Sequence, residues 1–441
     1  MFIVARAVLI WTIHQIMAIL FLPVLLVAAS TWRRDTLKRR RNGDTPRLVY
    51  GPHPIVSIKY MSRAMQRLGY QAVTFVNTVY NINNRDDYDY SRMDFFRSPI
   101  LHGKLGAALV RLCAPYLVLL WLLPRFDLFH FFFDGGFLCG TPLRYFEAQL
   151  LHLAGKKIVV MPYGSDVAVP RLTHSFLMRQ GLLMNYPVLA RREKAVLRQI
   201  DYFCRHADFV IACIYHGETL PRWDMLTTHY YPIDTQLWQT ESTGSDADGV
   251  NEVVTVVHSP NHRGLKGTEF LITACNELKA EGYKIDLRLL ERMPNSEVRN
   301  ILSQSDILAE QFLVGYALSA MEGMALGKPV MSNIADDYYY LVHRLYTGLD
   351  ECPVVSTPID LIKENLRLLI TNPQLRKQLG EAGRNYVLKY HSYAAVGRMW
   401  EMIYRKVWYG ENIDLTIWHP DHYPIPSEKG QAFESEHRLA A

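Results

Sequence analysis

The stretch that most constrains this chain runs from Asp306 to Val330. Asp306-Ile307-Leu308-Ala309-Glu310-Gln311 is a short apolar run ending in polar residues, as a strand leaving a sheet does. Gly315 opens a turn. Ala317 to Leu326 are strong helix formers, stopped by Gly327 and Pro329, and Val330 begins another apolar run. A strand, a glycine turn and a helix make one half of a βαβ unit. The amino end of such a helix carries unpaired N–H groups and partial positive charge, which suits a phosphate. Glu322 lies one to two turns further on, within reach of a sugar hydroxyl attached to that phosphate. The pattern alone fits equally a core helix with a capped end and one exposed Glu.

A chain of 441 residues has room for two domains of ordinary size plus extras. Charged residues make up 21% and aromatic residues 12%, a globular mixture. The net charge of +5 is modest and largely local. The cysteines at 113, 139, 204, 213, 275 and 352 form no CxxC pair, which argues against a zinc ribbon or a dithiol redox motif. Their spacing suggests free thiols in a reducing compartment.

Residues 1–31 are mostly apolar and long enough to serve as a membrane anchor, although Arg6, His14, Gln15 and Pro23 interrupt them. A basic segment, 32–45, follows with Arg33, Arg34, Lys38, Arg39, Arg40 and Arg41. Such a cluster places its side in the cytoplasm and attracts anionic headgroups. The alternative is an interfacial helix lying on the bilayer. The apolar neighbour explains these cations better than nucleic-acid binding does, so no nucleic-acid partner is expected.

Residues 46–240 read as a first domain. Arg47 to Tyr50 is a strand, Gly51-Pro52-His53-Pro54 a turn, and Ser57 to Leu68 a helix with Ile58, Met61, Met65 and Leu68 on one face. The turn stands at the carboxyl end of a strand, where α/β folds bind ligands, and His53 is an acceptor-side or structural histidine there. Residues 82–104 read as an exposed loop. Leu105 to Leu123 reads as a buried or membrane-facing helix. Phe126 to Gly136 is a buried strand running into a glycine turn. Lys157 to Met161 is another strand, followed by Tyr163-Gly164-Ser165-Asp166, where Asp166 binds an acceptor or caps a turn. Residues 191–206 form a basic amphipathic helix, and 240–251 a polar linker.

Residues 252–390 read as a second domain. Val253 to Val257 is a strand, and the loop after it holds Arg263 and Lys266 ahead of a helix, a pair able to hold a diphosphate. Asn295 is placed to cap the helix that runs to Gln304. Residues 391–441 supply a final aromatic-rich helix and a proline-containing tail.

Gly315-Tyr316-Ala317-Leu318-Ser319-Ala320-Met321-Glu322-Gly323-Met324-Ala325-Leu326-Gly327-Lys328-Pro329-Val330 resembles the nucleotide-sugar segment of the family-4 glycosyltransferases. The resemblance extends more weakly over residues 46–405. It implies the GT-B fold, in which two Rossmann-like α/β domains face each other across a cleft, here with an N-terminal hydrophobic membrane segment. It also implies a nucleoside-diphosphate sugar as donor, retention of anomeric configuration, and no bound metal or cofactor. Gly315, Tyr316, Ala317, Arg263 and Lys266 would hold the diphosphate and Glu322 the ribose. The family's first Glu of that segment falls on Val314, so Glu310 and Gln311 become the donor-sugar candidates. In the first domain, His130, Asp134 and Asp166 become catalytic candidates, and His53, Tyr163 and Asp166 acceptor-side candidates. The second His of the family's D-V-x-H-x-H segment is Phe132 here, and the His of its H-G-S-D turn is Tyr163. With the anchor, the expected acceptor is a membrane lipid or lipid-linked saccharide. Two other readings stay open: a catalytically weak nucleotide-binding scaffold, and a sugar-nucleotide epimerase.

Overall fold

The computed structural model describes residues 2–80, 83–92, 104–213, 216–228, 230–239, 245–335 and 337–422. Most of the 82–104 loop, the first part of the 240–251 linker and the tail beyond 422 lie outside the described residues.

The chain opens with α1 (Phe2–Arg41), one unbroken helix that joins the expected anchor to the expected basic segment. The first sheet follows: β1 (Leu48–Tyr50), α2 (Ser57–Arg67), β2 (Ala72–Val76), β3 (Tyr90–Ser91), α3 (Lys104–Leu122), β4 (Leu128–Phe132), α4 (Glu147–Leu153), β5 (Lys157–Met161), α5 (Phe176–Asn185), α6 (Leu189–His206), β6 (Phe209–Ala212) and β7 (Met225–Leu226). Its strands are parallel and ordered β3-β2-β1-β4-β5-β6-β7. The chain then builds β8 (Val254–His258), α7 (Arg263–Lys266), α8 (Thr268–Ala280), β9 (Ile285–Leu289), α9 (Asn295–Ser303), β10 (Ile307–Gln311), α10 (Leu318–Ala325), β11 (Val330–Ser332), α11 (Asp337–Tyr346) and β12 (Val355–Ser356). This second parallel sheet has the order β12-β11-β10-β8-β9.

Every strand of β4 and β10 is buried on both faces, as parallel strands covered by helices must be. Strand order reverses between β1 and β4 in one sheet and between β8 and β10 in the other. Ligands of open α/β sheets bind outside the carboxyl ends of strands at such points.

The helices α12 (Ile362–Thr371) and α13 (Pro373–Tyr390) cover the second sheet, and α14 (Tyr393–Val407) returns to the first. There Tyr404 hydrogen-bonds Tyr50 at 2.8 Å and His130 at 3.0 Å, beneath the buried Trp400. Two further ties join the domains. Arg384 donates to the carbonyls of Trp238, Thr235 and Ala325. His391 joins the Tyr231 carbonyl to the Tyr316 hydroxyl. The described end of the linker is docked on the second domain, where the Ser245 hydroxyl donates to Asp306 at 2.6 Å.

Candidate functional site

The cleft between the two sheets holds about 630 Å³, within the range of small-molecule sites. Its second-domain wall is the βαβ unit read from sequence. Gly315 makes the turn possible, because a Cβ there would lie 1.8 Å from the Asn333 carbonyl oxygen. Tyr316 then adopts φ 55°, a left-handed conformation disfavoured for a bulky side chain. Its backbone N–H donates to Ser332 Oγ at 3.0 Å, and its hydroxyl pairs with His391. Ala317 is the extended residue before α10, so the amino end of that helix opens on the cleft beside Ser319.

Lys266 reaches the same end. Its Nζ donates to Ser319 Oγ at 3.1 Å and lies 3.5 Å from Glu310 Oε1. Glu310 is buried and accepts from Ser319 at 2.7 Å and Ser332 at 2.9 Å. It stands behind Lys266 as a fixed counter-ion and does not line the cleft, whereas Gln311 does. The two donor-sugar candidates are therefore separated.

Glu322 lines the cleft four residues into α10 and is 5% exposed. Burial pushes its carboxyl up to about 8, against the weaker pull of Asn295, whose Nδ2 is 3.4 Å away, and of Lys266. Asn295 thus serves the cleft and caps nothing: the residue before α9 is Pro294, and no side chain caps that end. Asn295 carries a cap signature in the chain, and only the fold shows that it faces Glu322.

Arg263 is not brought to the cleft. Gly267, at φ 73°, breaks the chain between α7 and α8 and sets Glu269 beside Arg263. The guanidinium pairs with Glu269 at 2.7 Å and Glu291 at 3.1 Å, and it is absent from the cleft lining. Lys266, three residues on, is turned the opposite way. The two cations of the loop thus part company.

On the first-domain wall, the strand reversal between β1 and β4 brings His53 and Asp134 together. His53 Nδ1 is 4.0 Å from Asp134 Oδ2, and the Tyr163 hydroxyl bonds the same carboxylate from the end of β5. Burial lowers the His53 pKa more strongly than Asp134 raises it. Asp166 accepts from the backbone N–H groups of Tyr163, Gly164 and Phe133 at 2.8–3.1 Å and is buried, so it builds the turn. Burial pushes its carboxyl up to about 7. His130 stacks on Tyr50 at 4.1 Å within the interface with α14 and does not line the cleft. None of the three catalytic candidates lines the cleft; Asp134 is joined to it through Tyr163, which does.

The sequence model of the family described as glycosyl transferase-like matches residues 263–401, which include Lys266 and all of α10. An uncharacterized glycosyltransferase of Methanocaldococcus jannaschii is 32% identical over a segment covering 28% of this chain and 40% of that protein. The match therefore spans well under half of that relative. The Anabaena HepE protein, solved in complex with UDP-glucose, is 13% identical, with a TM-score of 0.50 over 81% of this chain and 98% of that one. The chain has the GT-B fold. A glycosyltransferase of Rickettsia africae overlays at a TM-score of 0.48 and 11% identity, over 82% of this chain and 98% of that one.

Proposed function

We propose that this GT-B protein is a glycosyltransferase that moves a sugar from a nucleoside-diphosphate sugar to a membrane-associated acceptor, a lipid-linked saccharide in polysaccharide or glycolipid assembly. The observation that carries the reading is the convergence of Lys266, the open end of α10 and the buried Glu322 on one wall of the cleft. The pyrophosphate would meet Lys266 and the α10 amino end, which together offset the charge that builds on the leaving nucleoside diphosphate. Glu322 and Asn295 would take the ribose hydroxyls. At pH 7 a carboxyl titrating at about 8 is largely protonated, so it can donate one hydrogen bond and accept another. Gln311 is the residue of the donor-sugar pair that lines the cleft, and Tyr163, with Asp134 and His53 behind it, would serve the acceptor side. Retention of anomeric configuration is what the resemblance of the Gly315–Val330 segment implies. The α1 helix with its cations supports placement at the cytoplasmic face of a membrane.

Thermal stability of the purified chain against nucleoside diphosphates and nucleotide sugars tests the site. A ligand well above its dissociation constant raises the melting temperature. Glu322→Ala should abolish that rise and Lys266→Ala should weaken it. Release of nucleoside diphosphate on adding a lipid-linked saccharide, followed by product stereochemistry, tests the transfer itself. A rise unaltered in both variants overturns the site.

A further inference from the structure

Among the described residues, α1 contains the one helix long and apolar enough to cross a membrane, Trp11–Arg41. Its packing argues against crossing. Phe21 stacks on Tyr116 of α3 at 4.6 Å, and Leu25 and Ala29 are fully buried in the same core as Val49 and Phe129 of the first sheet. Further on, Arg33 donates to the Leu153 carbonyl, Arg40 to the Gly155 carbonyl, and Arg39 to Asp127. From about Met17 to Arg41 the helix lies along the body of the domain. The contact begins no later than Met17, and the fifteen residues from Phe2 to Ile16 rise only about 22 Å at 1.5 Å per residue. A hydrocarbon core is about 30 Å thick. Crossing would therefore draw α3 and α4, which pack on α1, into lipid with their polar backbone ends.

The outer face of α1 has a different character. Ile16, Ile19, Leu20, Val24 and Val27 are 50–71% exposed and share one helix face, Ile19 and Leu20 lying three and four residues after Ile16. Leu117 of α3 adds a further exposed apolar side chain at 40%. The same face continues through Arg34, Lys38 and Arg41, all exposed. One helix face thus passes from an apolar stripe to a cationic one. That sequence matches a leaflet met at a slant, with acyl chains against the first part and anionic headgroups against the second.

We infer that α1, with α3 beside it, is a one-leaflet docking surface for an anionic bilayer, and that the chain does not cross the membrane. Both ends of α1 then stay on the side of the catalytic domains. This inference concerns the surface alone and needs no transferase activity.

The full chain, carrying a protease-cleavable tag ahead of Met1, is added to sealed vesicles of phosphatidylglycerol and phosphatidylcholine. The expected result is binding with the tag fully cleaved by external protease. A tag protected until detergent is added overturns the inference in favour of a spanning helix. Leu20→Asp with Val24→Asp alters only exposed side chains and should weaken binding at least about tenfold, with an unchanged melting temperature. Arg34→Glu with Lys38→Glu should weaken binding to the anionic vesicles and leave binding to phosphatidylcholine unchanged. Wild-type binding by the Leu20/Val24 variant also overturns the inference. Nucleotide-induced stabilisation measured on the same samples reports on the catalytic reading separately.

Discussion

Replacing Lys266 with Met should do two separable things. Lys266 faces the cleft on one side and Glu310 on the other, at 3.5 Å. The Glu310 side chain is 0% exposed and the Lys266 side chain 13%. Removing the ammonium leaves a buried carboxylate held only by the hydroxyls of Ser319 and Ser332. Breaking a buried pair from one side costs about 3–5 kcal/mol, and the two serine hydrogen bonds put the expected loss near the lower end. Glu310→Gln added to Lys266→Met removes the stranded charge, keeps one acceptor oxygen for a serine hydroxyl and turns an NH2 donor to the other serine oxygen. The double variant should recover most of the lost stability, leaving a coupling energy of about 2 kcal/mol. Nucleoside-diphosphate binding should stay weakened in both, because neither variant restores a cation at the α10 end. Denaturant titration of the four proteins of the cycle gives the coupling, and calorimetric titration with the nucleoside diphosphate that stabilises wild type gives the binding. Additive stabilities would refute the pairing. Recovery of that binding in the double variant would refute the assignment of Lys266 to the ligand.

Three further outcomes follow from the same geometry. Burial raises Glu322 from 4.5 to about 8, so the native state keeps a proton that the unfolded chain gives up, and stability falls as pH rises through that window. Glu322→Gln should therefore gain on wild type across it, from near zero at its acid end to a few kcal/mol above it, and parallel pH profiles would refute the burial argument. Asp127 accepts from Arg47 at 2.8 Å and Lys156 at 3.3 Å and ties down Arg39 of α1; burial opposes its charge, but these partners hold it below 3.8. Asp127→Asn should cost about 3 kcal/mol at neutral pH, and acid titration should show that gap closing as pH falls below 3.8, where wild type loses the charge too. Gly315→Ala forces a Cβ to within 1.8 Å of the Asn333 carbonyl, so the β10–α10 turn must shift. It should lower stability by about 1–3 kcal/mol and weaken nucleoside-diphosphate binding, as melting curves with and without ligand would show.

What the sequence by itself determined is local. The strand, the turn at Gly315 and the helix bearing Glu322 are written in consecutive residues, because apolar period, turn chemistry and helix stops act over a few positions. Lys266 was legible for the same reason, standing at the end of a strand in the same kind of unit. The tertiary structure decided which charges meet. Arg263 and Lys266 look alike in the chain, yet Gly267 gives one to Glu269 and leaves the other to Ser319 and the cleft. Glu310 and Gln311 are neighbours on a strand and so point to opposite faces, one to a buried counter-ion role and one to the cleft. His53 and Asp134 are far apart in sequence and meet only because β1 and β4 are adjacent. The apolar start of α1 announced a membrane, but its length could not say whether the helix crosses. That depends on the opposite face, which α3 and the first sheet occupy. Side-chain pairing across elements is set by strand order and packing, and no spacing within one element encodes it.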